Sequence, residues 1–184
     1  IILVEPRGPI NVGSIARLCS NFNVDQLRIV SPKCDIYSLE TRKMALKGIK
    51  FIKECTIHES LLDAISDCDL VLATCGRIDQ QKEYEPDSLE NISKWIRNFN
   101  EVKNLAIIFG REDRGLTNRE LLIAHKVFTI CTHKNFPSLN LSHAVSIVLY
   151  ELLKNTKVEN ITNKKDLDYA TSKQIEDSFL QIEK

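Results

Sequence analysis

Leu105-Ala-Ile-Ile-Phe-Gly110-Arg-Glu-Asp-Arg-Gly115-Leu-Thr-Asn-Arg-Glu120 runs from an unbroken apolar strand, through a loop with two glycines, into the start of a helix. Five consecutive apolar residues, Leu105–Phe109, suit a strand buried on both faces, because neither face then needs polar side chains. Thr117 with Glu120 three residues later forms a capping box, in which each side chain satisfies a backbone amide near the other residue. It predicts a helix running through His125. A strand of this kind feeding a helix is the repeating unit of a parallel α/β sheet.

The same alternation extends in both directions. Upstream, strands are predicted at Ile1–Val4, Gln26–Ser31, Phe51–Glu54 and Leu70–Thr74. Helices are predicted from about Asn11 to Asn23, over Ser38–Lys47 with Gly48 as a C-cap, over Glu59–Ser66 and over Ser88–Phe99. Downstream, Val127–Cys131 reads as the last strand and a long helix begins near Asn140. Its residues Leu141, Ala144, Val145, Val148, Leu149 and Leu152 repeat with the spacing of one helical face. The fold class is therefore α/β, a parallel sheet with helices on both faces. Residues 1–155 form this domain. Residues 156–184 turn polar and read as a helical C-terminal extension that is cut short.

With 184 residues, 43% hydrophobic and 27% charged, the chain suits one folded domain and excludes collagen, coiled coil and disorder. No apolar run reaches the roughly 18 residues of a membrane span, so no membrane role is expected. The first residue is Ile1 inside an apolar run, and further residues are expected upstream. Net charge is zero, yet residues 1–50 carry eight bases against four acids. A basic first third favours a polyanionic partner locally. The six cysteines (19, 34, 55, 68, 75 and 131) show no CxxC spacing and no disulfide framework, so no metal is expected and a reducing, cytoplasmic setting is the default.

Ligands of open parallel sheets sit beyond the carboxyl ends of the strands. Four loops leave such ends here: Glu5–Arg17, Thr74–Arg77, Gly110–Thr117 and Cys131–Asn140. Their glycines and polar residues point to a single pocket. GxGxxG and GxxxxGK[ST] are both absent, which removes the usual dinucleotide and triphosphate cradles.

Three of these loops carry more specific patterns. Asn11-Val-Gly-Ser-Ile-Ala-Arg17, then Phe109-Gly-Arg-Glu112 with Gly115-Leu116, then Ser138-Leu-Asn140 with Ala144 resemble, in order and spacing, the motifs of the SpoU (TrmH-type) branch of the SPOUT RNA methyltransferases. The Glu5-Pro6 opening, Thr74-Cys-Gly-Arg77 and Gly115-Leu-Thr-Asn-Arg-Glu120 are most similar to the TrmJ-like subgroup. The resemblance implies an α/β fold with a C-terminal trefoil knot, S-adenosylmethionine as cofactor, and a homodimer with an active site shared between subunits. It implies methyl transfer to a ribose 2′-hydroxyl, of tRNA at the start of the anticodon loop. Ribosomal RNA is the alternative substrate, and an RNA-binding module without catalysis is the reading from a different class.

By the same resemblance Arg17, Asn11, Glu112, Ser138 and Asn140 are the catalytic group, while Thr74, Cys75, Gly76, Gly110, Ile130, Ser138, Leu139 and Asn140 hold the cofactor. Asn11 also reads as the cap of its helix, and Gly110 as the point where the backbone approaches the cofactor. Glu112 is expected either to serve the site or to pair with Arg111 or Arg114. Arg7, Arg28, Lys33, Arg42, Lys43, Lys47 and Lys50 are candidate phosphate contacts. The chain departs from the family pattern at Ile10, at Cys75-Gly76 and at Cys131, where glycine, Ser-Ala and proline are usual.

Overall fold

The structure is a computed structural model that describes residues 1–76, 85–99 and 102–154. Seven strands form one sheet in the order β3-β2-β1-β6-β4-β7-β5, with every pairing parallel. They are β1 (Ile2–Val4), β2 (Arg28–Val30), β3 (Thr56–His58), β4 (Leu70–Thr74), β5 (Asp87–Ser88), β6 (Leu105–Phe109) and β7 (Lys126–Thr129). The helices are α1 (Pro9–Asn21), α2 (Leu39–Ala45), α3 (Ile49–Glu54), α4 (Leu61–Ile65), α5 (Leu89–Ile96), α6 (Asn118–Leu122) and α7 (Leu141–Leu153).

Successive strand residues point to opposite faces, and here both faces are covered. Leu3, Ile29, Leu72, Ile107 and Phe109 meet α1, α5 and α7 through Val12, Ile15, Ile92, Val145 and Val148. On the other face Ile2, Val4, Val71, Ala73 and Ile108 meet α4 and α6 through Leu61, Ala64 and Leu121. This explains the unbroken apolar runs that mark the central strands in the sequence. Side-chain oxygens cap five of the helices: Ser38, Ser60, Ser88, Thr117 and Asn140 each accept a backbone amide of the first turn.

Three expectations are corrected. Phe51–Glu54 lies in α3, not in a strand; Phe51 and Ile52 are buried together under the sheet, and the strand comes two residues later at Thr56–His58. Gly48 is not a left-handed C-cap, since its φ is −75° and it closes a single 3-10 turn, Leu46–Gly48, between α2 and α3. It is glycine because a Cβ there would lie 2.4 Å from the Ala16 carbonyl oxygen and 2.6 Å from the Arg17 Cα of α1. Gly13 plays the same part higher on α1, against the Thr41 carbonyl oxygen of α2. The third correction concerns the start of α1. The helix begins at Pro9 with Gly8 as N-cap, so Asn11 lies inside the first turn and does not cap it. Arg77 and residues 156–184 lie outside the described residues.

Candidate active site

β6, β4 and β7 are adjacent in the sheet, so the loops leaving their carboxyl ends converge. Together they surround a cleft that is open to solvent on one side. Thr74, Cys75 and Gly76 form one wall, Gly110–Leu116 a second, and Ile130 with Pro137, Ser138 and Leu139 a third. Leu121, Leu141 and Ala144 supply apolar surface from α6 and α7. The exit of β4 is tied to both neighbours: Thr74 Oγ1 donates to the Ile108 carbonyl at 3.1 Å, and the Cys75 amide donates to the Phe128 carbonyl at 2.8 Å.

The loop after β6 closes on itself through two backbone hydrogen bonds between Arg111 and Gly115, at 3.2 and 2.9 Å. Gly115 stands at φ +71°, in the left-handed region that favours glycine. A Cβ on Gly110 would lie 2.2 Å from the Gly115 carbonyl carbon. Gly110 lines the cleft as expected, but what requires its glycine is the loop's own closure.

Arg111, only 7% exposed, holds that loop in place. Its Nε donates to Glu5 Oε2 at 2.7 Å, and its two terminal nitrogens donate to the Glu120 carboxylate at 2.9 and 3.0 Å. The planar guanidinium thus joins the end of β1 to α6 with a bidentate fork, a geometry lysine cannot supply. Glu120 simultaneously completes the capping box with Thr117. The hydrogen bond from Arg111 holds the Glu5 carboxyl below its ordinary range. For Glu120, burial pushes upward, but Arg111 and the Thr117 amide outweigh it and the net direction is also down.

Both groups prefer the ionised form in the folded state. Their stabilisation is present above the ordinary carboxyl value of 4.5 and is lost as pH falls through the depressed values. Denaturant midpoints measured from pH 6 to pH 3 are expected to fall below about pH 4.5, less steeply in Arg111→Met. Equal slopes in the two proteins would remove this triad as the source.

A second network joins the three sequence motifs. Amides at the start of α7, from Ser142 at 2.9 Å and His143 at 3.3 Å, donate to Asn140 Oδ1. Asn140 Nδ2 donates to Asn11 Oδ1 at 3.0 Å, and Asn11 Nδ2 donates to Glu112 Oε1 at 3.1 Å. The Glu112 carboxylate also accepts from the Arg7 amide at 3.1 Å and the Gly8 amide at 3.0 Å. The direction of this chain follows from chemistry. Backbone amides only donate and a carboxylate only accepts, so both asparagine side chains must be oriented as they are.

Glu112 therefore pairs with neither Arg111 nor Arg114, which instead bond Glu5. Its negative charge serves the entry to α1, where exposed amides and the helix dipole favour an anion.

Of the expected cofactor group, Thr74, Cys75, Gly76, Gly110, Ile130, Ser138 and Leu139 all line the cleft. Asn140 does not, being turned to Asn11 and the α7 amides. Of the expected catalytic group, Glu112 and Ser138 line the cleft, and Asn11 and Asn140 join it through Glu112. Arg17 stands apart: it is exposed, two turns along α1, outside the cleft lining and without a hydrogen bond or ion pair to any described residue.

The residues that sequence reasoning missed are Arg111 with Glu5 and Glu120, and the apolar wall residues Leu116 and Leu121. An apolar Leu116 inside a charged loop was the available signal for that wall. Nothing local to the sequence marks Arg111 as buried.

A parallel α/β domain with a half-apolar cleft at its carboxyl edge, closed by a glycine loop and walled by the segment entering the last helix, defines a small-molecule-binding class. The chain belongs to the SpoU rRNA Methylase family, whose model matches residues 1–150. It is 42% identical over 161 residues to the tRNA (cytidine-2′-O-)-methyltransferase TrmJ of Sulfolobus acidocaldarius, covering 84% of this chain and 65% of that protein. Among solved structures, TrmJ from Z. mobilis superposes with a TM-score of 0.75 at 27% identity, over 99% of this chain and 76% of that one. The SpoU methyltransferase AviRb of Streptomyces viridochromogenes, solved in complex with AdoMet, shares the fold with a TM-score of 0.66 at 18% identity, over 84% of this chain and 59% of that one. The chain spans about two thirds of the length of the curated relatives it matches.

Proposed function

We propose that this chain is the catalytic domain of an S-adenosylmethionine-dependent methyltransferase acting on a ribose 2′-hydroxyl of tRNA. The observation that carries the reading is the Glu112–Asn11–Asn140 hydrogen-bond chain, which joins three motifs far apart in sequence at the rim of one cleft. The name of the 42% identical relative supports tRNA as the substrate class.

The cleft's chemistry fits the cofactor. Ile130, Leu139, Leu141 and Ala144 offer an apolar slot for a purine, while Thr74–Gly76 and Gly110 present backbone to its polar parts. Among the described residues, no heavy atom lies within 4 Å of where a Cβ on Gly76 would stand, which suits the approach of a ligand. When bound, S-adenosylmethionine supplies a methyl group on a sulfonium, an electrophile in its own right.

The chain's own residues orient and stabilise. Ser138 and Leu139 hold the cleft wall against α7, and Asn140 fixes the start of that helix. Arg17 clamps an RNA phosphate and the alkoxide character that develops on the ribose oxygen. A guanidinium stays charged at neutrality and serves as a clamp, not a base.

Arg17 stands outside its own cleft, which supports a site shared between two subunits of a homodimer. The return of β7 between β4 and β5, with its exit beside the Gly110–Gly115 loop, supports a C-terminal trefoil knot. A cytoplasmic location completes this reading, since the cysteine spacing offers no disulfide framework.

The test is methyl transfer from labelled S-adenosylmethionine to unmodified total tRNA and, in parallel, to ribosomal RNA, followed by digestion to locate the label. A 2′-O-methyl nucleotide at the start of the anticodon loop is expected. Label in ribosomal RNA alone would move the substrate, and no transfer with intact cofactor binding would replace the enzyme reading with that of a binding module.

A further inference from the structure

The described cations of this chain divide into two sets. Arg7, Arg28, Lys94, Arg111, Arg114, Lys126 and Lys154 each lie within 4.0 Å of a carboxylate. Two of the candidate phosphate contacts, Arg7 and Arg28, fall in that set. Arg28 is further removed because it opens β2, at the amino edge of the sheet opposite the cleft, with its guanidinium on Asp67 and the Ala64 carbonyl.

Of the described cations outside that set, Arg17, Lys33, Arg97, Lys103, Arg119 and Lys134 are scattered, while five lie together in one place. Arg42, Lys43, Lys47, Lys50 and Lys53 are all exposed along α2, the 3-10 turn and α3, and none bonds a described carboxylate. Only two acids, Glu40 and Glu54, share this stretch of 16 residues. Lys50 Nζ rests 5.0 Å from the Phe51 ring centroid, which leaves its charge at the surface. Gly48, between Lys47 and Lys50, abuts α1 at Ala16–Arg17 so closely that no Cβ fits. Five unpaired cations therefore run along a ridge that touches the base of Arg17. The chain as a whole is neutral, so this segregation is local and its charge is not offset by neighbouring acids.

We infer that the α2–α3 ridge is the track on which the RNA phosphate backbone docks as it reaches Arg17. Unpaired lysines at successive turns suit a polyanion with regularly spaced charges, and they position it without reading its bases. The apolar side chains of Leu39, Met44 and Leu46, exposed between the cations, give the strand a dry surface to lie on. This inference rests on the RNA-methyltransferase reading above and names the surface by which that substrate is held.

The test compares the wild-type chain with Arg42→Gln/Lys43→Gln/Lys47→Gln/Lys50→Gln, with its four single variants, and with a control of equal charge loss, Lys94→Gln/Arg97→Gln/Lys103→Gln/Lys154→Gln. Binding of unmodified total tRNA is measured by fluorescence anisotropy as a function of salt. Each cation–phosphate pair removed should reduce the slope of log affinity against log salt by about 0.7–0.9, so the quadruple ridge variant should lose about 3. Its tRNA affinity near 0.1 M salt should fall about 10- to 100-fold, with S-adenosylmethionine binding and the thermal midpoint unchanged.

A ridge variant that keeps the wild-type slope overturns the inference, as does a control variant that loses as much. In both of those cases wild-type binding still stands, and so does the methyltransferase reading. Failure of the wild-type chain to bind any RNA would sink that reading and the ridge with it.

Discussion

Arg17→Ala is expected to lower methyl transfer to tRNA by about 10²–10³-fold, the usual cost of removing one preorganised stabiliser of developing negative charge. Affinity for S-adenosylmethionine should stay within about threefold, because Arg17 lies outside the cleft and bonds none of its lining residues. Isothermal titration with the cofactor and single-turnover transfer separate the two effects. Full activity in the variant would remove Arg17 from the mechanism. Its position also yields a sharper test of sharing between subunits. Ser138→Trp fills the cleft from an exposed position on its rim and should block the cofactor while leaving Arg17 intact. Mixed in equal amounts and allowed to exchange, the two inactive variants should recover about a quarter of wild-type activity, since half of the two-fold dimers are mixed and each has one intact site. No recovery, with exchange demonstrated, would mean that each chain works alone.

Arg111→Met is expected to cost about 2–4 kcal/mol of folding stability. Most of that comes from what remains: Glu5 and Glu120, whose side chains are 22% and 18% exposed, are left facing each other without a counter-charge. Removing one partner of a buried ion network is far more damaging than removing the network. Adding Glu5→Gln and Glu120→Gln to Arg111→Met should therefore restore much of the loss, as read by urea midpoints. A triple variant no more stable than the single one would show that loop geometry, not unpaired charge, sets the cost. The effect should reach the cleft as well, since Arg111 closes the loop that forms one wall of it. A loss of cofactor affinity is expected alongside the loss of stability.

The corrected positions share a physical cause. Phe51–Glu54 reads equally well as a strand or a helix, because a short apolar run buried on the sheet has the same composition either way. Asn11 has the chemistry of an N-cap and sits near a helix start, yet Pro9 begins the helix two residues earlier and frees the Asn11 side chain for Glu112 and Asn140. Gly48 follows a helix as a C-cap would, yet what requires its glycine is the close approach of α1, where a Cβ would lie 2.4 Å from the Ala16 carbonyl oxygen. In each case a local pattern was compatible with two environments, and the tertiary partner chose between them.

Residue order alone was enough to determine the alternation of strands and helices, the parallel sheet covered on both faces, the capping box at Thr117 and the loops that form the cleft. These follow from periodicity and hydrogen-bonding chemistry that act over a few residues. Only the tertiary structure decided which cations are spoken for, since Arg28 finds Asp67 and Arg111 finds Glu5 across 39 and 106 residues of chain. It also decided that Glu112, Asn11 and Asn140 form one hydrogen-bonded chain while Arg17 stands outside it. Charge and hydrogen-bond partners act over a few ångströms in space, and spacing along the sequence does not carry that distance.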